Sequence, residues 1–323
     1  MNILFCSVGR RCELLKNFKQ SLGNKSKIVA TDMSKTAPAI YFADKYYIVP
    51  PIAEEGYIDK ILKICQAEKI DVITTLIDPE IKLLSENRDR FNDIGVLVLA
   101  PDLNTANIFF DKYRTYLELK KLGINTVLTY DSIDNFKIGF KNKEIKFPVF
   151  VKPRLGSGSV GARKINNIKD LEEAFKEDQS LIVQEFMGDF EDIDCDAYFD
   201  TISNKLVSIF SKKKLETKIG GASKTISFKD DNLYAFLENA LSNFTFNGPI
   251  DVDLWYKDGE YYLSEINPRF GGAYLHAYGA GVDFIKMIEN NVKKIENNKS
   301  DLVYEEDIVM MMYDSVVIKK ISL

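Results

Sequence analysis

The strongest constraint on the fold is an alternation that fills the first hundred residues. Short apolar runs take turns with segments whose apolar residues recur at helical spacing. Asn2 to Cys6 is a buried strand ending at Ser7-Val8-Gly9. Cys12 to Leu22 carries Leu14, Leu15, Phe18 and Leu22 on one helical face. Strands follow at Lys27 to Thr31, Asp71 to Leu76 and Val96 to Leu99, with helices at Tyr57 to Ala67 and Pro79 to Phe91 between them. Strand–helix alternation of this kind predicts a parallel sheet covered by helices on both faces. It places a first domain at residues 1–103.

A helix over Lys112 to Lys121, stopped at Gly123, lies in a connecting segment, 104–144. A strand then runs from Phe147 to Lys152, followed by a Gly/Ser loop and a strand near Arg163 to Ile165. A helix around Leu171 and a strand from Leu181 to Phe186 complete a small α+β lid, 145–190. The remainder, 191–323, reads as a larger catalytic unit. Its hairpins turn near Ser203-Asn204 and at Asp258-Gly259, the second a strong hairpin signal.

Composition narrows the chemistry. Across 323 residues, 43 Lys and Arg face 48 Asp and Glu, a net charge of −5 with no strong field of one sign. That argues against a nucleic-acid binder. One histidine excludes multi-histidine metal sites, and any histidine base would have to be His276. The four cysteines form no C-x-x-C pair, so a reducing cytoplasm is the expected home. No run approaches the length of a membrane span, and no targeting segment is read.

Two clusters carry chemistry. Gly156-Ser157-Gly158-Ser159-Val160-Gly161 fits G-x-G-x-x-G. A dinucleotide fingerprint needs a helix next, and strand and turn residues follow instead. A Walker loop needs Lys-Ser/Thr where Ala162-Arg163 stands. A Gly-rich hairpin closing over phosphates and a plain turn both remain open. Lys152, ending the preceding apolar strand, needs a counter-charge that a bound phosphate would supply. In the second cluster, pairing across Asp258-Gly259 brings Asp253 and Glu265 to one point, with Asn267 two residues further on the same face. Two carboxylates and an amide oxygen suit Mg²⁺ or Mn²⁺ held together with phosphates. Asn267-Pro268-Arg269-Phe270-Gly271-Gly272 follows at once.

Together these residues resemble the ATP-grasp superfamily over nearly the whole chain, and within it the carbamoyl-phosphate-synthase-like single-unit ligases. The resemblance implies an ATP-grasp fold, α/β and α+β, behind a Rossmann-like parallel-sheet domain. It implies that Lys112 and Lys152 bind nucleotide phosphates under the loop of Gly156, Ser157, Gly158, Ser159 and Gly161. Leu181 to Met187 is similar to the hinge holding adenine, through the Gln184 side chain and the backbone of Glu185 and Met187, with Phe186 between. Asp192 aligns best with the ribose contact, Glu191 being its rival. Asp253, Glu265 and Asn267 fall at the metal ligands, and Arg269 where charge on the transferring phosphoryl group is stabilised. The basic stretch from Lys212 is similar to one facing the acyl intermediate. Lys214 and Lys218, four apart on a strand, are its favoured members.

The implied activity is an ATP- and Mg²⁺-dependent ligase. A carboxylate becomes an acyl phosphate, and an amine or ammonia displaces the phosphate. Its partners are small molecules, with no nucleic acid or membrane, and homodimers are common in the family. A single grasp unit is not a complete carbamoyl-phosphate synthetase. The alternatives are a small-molecule kinase on this fold and a non-catalytic ATP-binding module. A protein kinase is excluded because neither His-Arg-Asp nor Asp-Phe-Gly occurs. In the first domain, Arg10 or Arg11 is a candidate for an anionic substrate group. Asp32, Asp78 and Glu80 are candidates for an amine, with capping and surface charge as the competing explanation. His276 is a candidate pocket residue or a hydrogen-bonded structural one.

Overall fold

A computed structural model describes residues 1–23, 26–156, 161–218, 221–299 and 303–321. Among them the strands form three sheets. The first domain runs β1 (Asn2–Cys6), α1 (Cys12–Leu22), β2 (Lys27–Asp32), β3 (Lys45–Ile48), α2 (Tyr57–Glu68), β4 (Val72–Thr75), α3 (Asp78–Glu86), α4 (Arg88–Asn92) and β5 (Leu97–Val98). Its five strands are all parallel, in the order β3-β2-β1-β4-β5. One face packs on α1 through Leu14, Leu15 and Phe18, the other on α2 through Ile58, Ile61 and Cys65.

Two details differ from the sequence reading. The edge strand β3 carries no expected signal, because its Lys-Tyr-Tyr-Ile is mostly exposed and lacks an apolar run. The single helix expected from Pro79 to Phe91 breaks at Asn87, whose side-chain amide donates to the Leu83 carbonyl at 3.0 Å and competes with the helix ladder.

Next come α5 (Leu103–Phe110), α6 (Lys112–Lys121), β6 (Thr129–Tyr130), α7 (Ile133–Lys141), β7 (Val149–Pro153), β8 (Arg163–Ile165), α8 (Ile168–Glu177) and β9 (Leu181–Glu185). The four-stranded lid sheet is ordered β6-β9-β7-β8. Val149, Val151, Leu181 and Val183 on one face bury against Phe136 of α7 and Leu171 and Phe175 of α8. The strand period of two therefore turns Phe150, Lys152 and Gln184 to the other face.

The largest sheet uses β10 (Glu191–Phe199), β11 (Leu206–Lys218), β12 (Gly221–Ser227), β13 (Gly248–Lys257), β14 (Glu260–Asn267) and β15 (Val309–Met311), ordered β14-β13-β10-β11-β12-β15. Ile193, Cys195, Ala197, Val252, Leu254 and Ile266 pack one face against α9 (Asp231–Leu241). The β13–β14 hairpin turns with positive φ at both central residues, Asp258 at 52° and Gly259 at 86°. That backbone matches the twist of its strands. Helices α10 (Leu275–Gly279) and α11 (Phe284–Val292) lean on α1 of the first domain, so one core spans both units.

Candidate active site

The free face of the six-stranded sheet is a grid of charged side chains, because apolar residues take every other position. On β10 these are Asp192, Asp194 and Asp196. Register places Asp194 between Lys212 and Asp253, and Asp253 beside Glu265. In the next row Asp196 adjoins Asp251, and Asp251 adjoins Asn267. The expected oxygen triad is therefore assembled on two neighbouring strands.

This floor is bounded by the lid sheet, the start of α6 and the loops after β1 and β4. They enclose a cleft of about 690 Å³. Asp111 caps α6 by accepting the N–H groups of Tyr113 and Arg114, and its carboxylate also accepts from Nε and Nη2 of Arg154, at 2.6–2.9 Å. The same residue thus ties α6 to the end of β7. Lys112 follows it, donating to the Gly156 carbonyl, with Glu265 3.9 Å away.

The cations divide by their surroundings. Lys212 is fully buried between Asp194 at 2.8 Å and Asp196 at 2.5 Å. Burial pulls its pKa down, but the two carboxylates outweigh that and hold it above the usual lysine value. Lys214 sits 2.5 Å from Asp253 and 3.1 Å from Asp192 and is likewise raised against its burial. Lys152, on the lid, has no carboxylate within 4 Å among the described residues, and burial depresses its pKa.

Arg269 bonds Asp78 through Nε at 2.8 Å and Nη2 at 3.4 Å. Its Nη1 reaches Asp251 at 3.4 Å and the Phe270 carbonyl at 3.0 Å. Asp78, at the start of α3, is thus a first-domain residue inside the cleft. Gly271 makes this approach possible: a Cβ there would lie 2.6 Å from Asp251 and 2.7 Å from Asp196.

The donor set fits a magnesium ion. Asp253, Glu265 and Asn267 offer hard oxygens, and a cation, the Lys214 ammonium, already rests on Asp253. Burial pushes the Glu265 carboxyl up, as expected of an acid short of positive charge. On the lid, Gln184 donates to Thr129 Oγ1 at 2.9 Å, but its Oε1 is a buried acceptor without a partner among the described residues. It shares a face with Phe150 and Lys152. An exocyclic amine such as that of adenine would satisfy it.

Other expected residues land variously. Asp192 lines the cleft, while its strand neighbour Glu191 turns out to pair with Lys213 at 2.5 Å. The Glu185 N–H bonds the Leu128 carbonyl at 2.9 Å, and the Met187 carbonyl accepts from Lys257. The Phe186 ring lies under the Lys164 ammonium at 4.2 Å. Gly156 lines the cleft and Gly161 has φ +76°; Ser157, Gly158 and Ser159 lie outside the described residues.

Lys218 is a correction. Register shifts between Lys214 and Glu216 and between Glu216 and Thr217 break the period of two, so Thr217 lines the cleft. Lys218 is exposed and pairs with Asp314 at 3.4 Å. Arg10 is exposed. Asp32 accepts the N–H groups of Gly9 and Ser34, and Glu80 is enclosed by the hydroxyls of Ser7, Tyr57 and Thr75, so neither carboxylate is free for an amine. His276 is structural: Thr225 Oγ1 lies 2.7 Å from Nδ1 and the Ile308 carbonyl 3.0 Å from Nε2. Burial lowers its pKa to about 4.

The sequence reading missed the depth of the floor. Asp194, Asp196, Asp251 and Lys212 form one buried network, with the carboxylates' ligand atoms within 4.8 Å of one another. The signal was present in the alternation Asp192-Ile193-Asp194-Cys195-Asp196-Ala197.

Comparisons with known proteins agree with this architecture. A family model described as an ATP-grasp domain matches residues 109–273, and one described as a PylC-like N-terminal domain matches residues 3–99. A D-alanine–D-alanine ligase from Campylobacter jejuni subsp. doylei is 31% identical over 202 residues, 56% of this chain and 56% of that protein. The chain thus aligns with little more than half the length of this relative. Among solved structures, the biotin carboxylase domain of Hydrogenobacter thermophilus 2-oxoglutarate carboxylase superposes with a TM-score of 0.75 at 16% identity, covering 95% of this chain and 73% of that one. N5-carboxyaminoimidazole synthetase from Staphylococcus aureus gives 0.74 at 19% identity, covering 94% and 79%.

Proposed function

The chain belongs to the ATP-grasp family, and we propose on that premise that it is an ADP-forming ligase joining a carboxylate to an amine or ammonia. One observation carries the reading. A floor with three hard oxygen ligands faces a lid that offers, among the described residues, an unpaired half-buried lysine, Lys152, and an unpaired buried acceptor, Gln184 Oε1. That is a place for a polyphosphate with an amine-bearing base and a divalent cation. The D-alanine–D-alanine ligase relative supports the reaction class.

The residues divide the work. Gln184 and the Glu185–Met187 backbone seat the adenine, and Asp192 faces the ribose. Lys112 and Lys152 neutralise phosphate oxygens beneath the Gly156–Gly161 loop. Asp253, Glu265 and Asn267 would hold Mg²⁺, which when bound spreads phosphate charge. A substrate carboxylate oxygen attacks the γ-phosphorus, ADP leaves, and an acyl phosphate forms. The amine nitrogen then attacks the acyl carbon, phosphate departs, and the nitrogen loses a proton. Arg269 and Lys214 stabilise charge during these transfers; Lys218 stands too far out to join them. Little covalent work falls to the protein, and catalysis is positioning and electrostatics.

The domain division at 103, 144 and 190 and a cytoplasmic home belong to the same proposal. Four free cysteines suit a reducing compartment, and no described helix is long and apolar enough to cross a membrane. Homodimerisation is proposed as well; the Hydrogenobacter structure is of a dimer, and sedimentation checks it here.

The test is ADP and phosphate release from Mg-ATP against pooled amino acids, hydroxy acids and other carboxylates, with and without ammonia or amines. Glu265→Gln is the blank. Release that needs both a carboxylate and an amine supports the ligase. A stable phosphorylated product from one acid or alcohol alone would replace it with a kinase. ATP binding without release under any pool would replace it with a binding module.

A further inference from the structure

The two arginines at the first-domain end of the cleft are not equivalent. Arg269 is largely committed: Asp78, Asp251 and the Phe270 carbonyl take four hydrogen bonds from its guanidinium. Arg11, at the start of α1, also lines the cleft. Among the described residues its side chain makes one hydrogen bond, from Nη2 to the Gly271 carbonyl at 2.5 Å. Among the described residues no carboxylate oxygen lies within 4 Å of it. A guanidinium has five donors in a planar fork. Most of this one's donors are therefore available in an enclosed place, where an uncompensated charge is costly.

Its neighbours locate it. Arg11 feels Arg269, Asp251, Asp196 and Asp78, whereas Lys152 feels Glu265, Lys112 and Asp253. The two cations thus face adjacent rows of the floor, Lys152 the row of Asp253 and Glu265 and Arg11 the row of Asp196 and Asp251. Gly272, beside Arg11 in the cleft wall, has open space where a side chain would be. Burial and the adjacent Arg269 lower the Arg11 pKa to about 10, the sign of a cation short of an anion.

We propose that Arg11 is the anchor for the carboxylate substrate, its fork taking both oxygens of the acid before activation. The first domain then supplies a binding residue to the reaction, not only a wall. The identity of the bound group as the reacting acid rests on the ligase reading; the presence of a carboxylate site at Arg11 does not.

The experiment measures binding rather than turnover. Acetate, glycine, succinate and glutamate are titrated singly into protein saturated with magnesium and a non-hydrolysable ATP analogue. Ethylammonium and inorganic phosphate serve as contrasting arms. Wild type, Arg11→Lys and Arg11→Gln are compared. At least one carboxylate should bind wild type, and Arg11→Gln should weaken it about tenfold or more, the scale of a lost charge-assisted pair. Arg11→Lys should recover part of the loss, and guanidinium ion should restore binding to Arg11→Gln. ATP-analogue affinity and the melting temperature of the free protein should hold.

Several results would overturn the proposal: no carboxylate bound by wild type, equal carboxylate binding in Arg11→Gln, binding of phosphate or ethylammonium alone, or an equal loss of analogue affinity in Arg11→Gln. Carboxylate bound through Arg11 with no ADP release would sink the ligase reading and leave this one standing. ADP release by Arg11→Gln with an unchanged KM for its carboxylate would do the reverse.

Discussion

The cleft is built from two sheets that treat charge in opposite ways. On the six-stranded floor, Lys212 and Lys214 are matched to Asp194, Asp196, Asp253 and Asp192, and Arg269 to Asp78 and Asp251. On the lid, Lys152 and Gln184 Oε1 are left without partners among the described residues. The floor's cations are paired within the chain, while the lid's polar groups are satisfied only with something beneath them. The contrast separates charges balanced within the chain from groups that a ligand would balance.

Substitutions can break that contrast, and the largest effect belongs to the floor. Lys212→Met would leave Asp194 and Asp196 facing each other without their cation. It should cost about 3–5 kcal/mol of stability, read from urea unfolding; a loss well under about 1 kcal/mol would show that the network is not self-supporting.

Acid probes the same sheet more gently. His276 bridges β12 to the segment before β15 as a neutral imidazole, and its pKa is lowered to about 4. The unfolded chain takes up its proton near pH 6.5 and the folded chain only near 4, so stability falls as pH drops through that window. The loss should approach about 3 kcal/mol at its lower end, and His276→Asn should flatten that part of the curve relative to wild type.

Lys152→Met tests the lid. It should leave urea stability unchanged or slightly higher, because it removes a half-buried charge that no carboxylate pairs among the described residues, while weakening ATP binding about 10- to 100-fold. Calorimetry with the nucleotide decides this, and equal losses in stability and affinity would erase the distinction between the sheets. Smallest is Gln184→Leu, which should lower ATP affinity by about 1 kcal/mol. If GTP binding falls by the same factor, Gln184 does not read the base.

Much of this cleft was legible because a hairpin turn and the alternation of strand faces bring distant residues together. The turn at Asp258-Gly259 pairs the two strands, and a one-residue register shift between Asp253 and Leu254 then brings Asp253 against Glu265 and Asn267 against Asp251. The same alternation also produced the error. A period of two puts Lys218 on the face of Lys214, but register shifts interrupt the period between them. The pairing of Arg269 with Asp78 joins residues 191 positions apart, a distance over which local spacing carries no information. Lys212 is one of three consecutive lysines, and only its row partner Asp194, from another strand, sets it apart from them.

Lys212 also has a consequence for metal traffic. Asp194, Asp196 and Asp251 present the geometry of a cation site, but the ion in it is part of the chain. A tethered ammonium has no dissociation constant, so chelators cannot strip it and excess divalent salt gains no foothold. The ion held by Asp253, Glu265 and Asn267 would exchange freely with solution a strand away. The protein would then respond to its surroundings at one of two adjacent acidic clusters and remain deaf at the other.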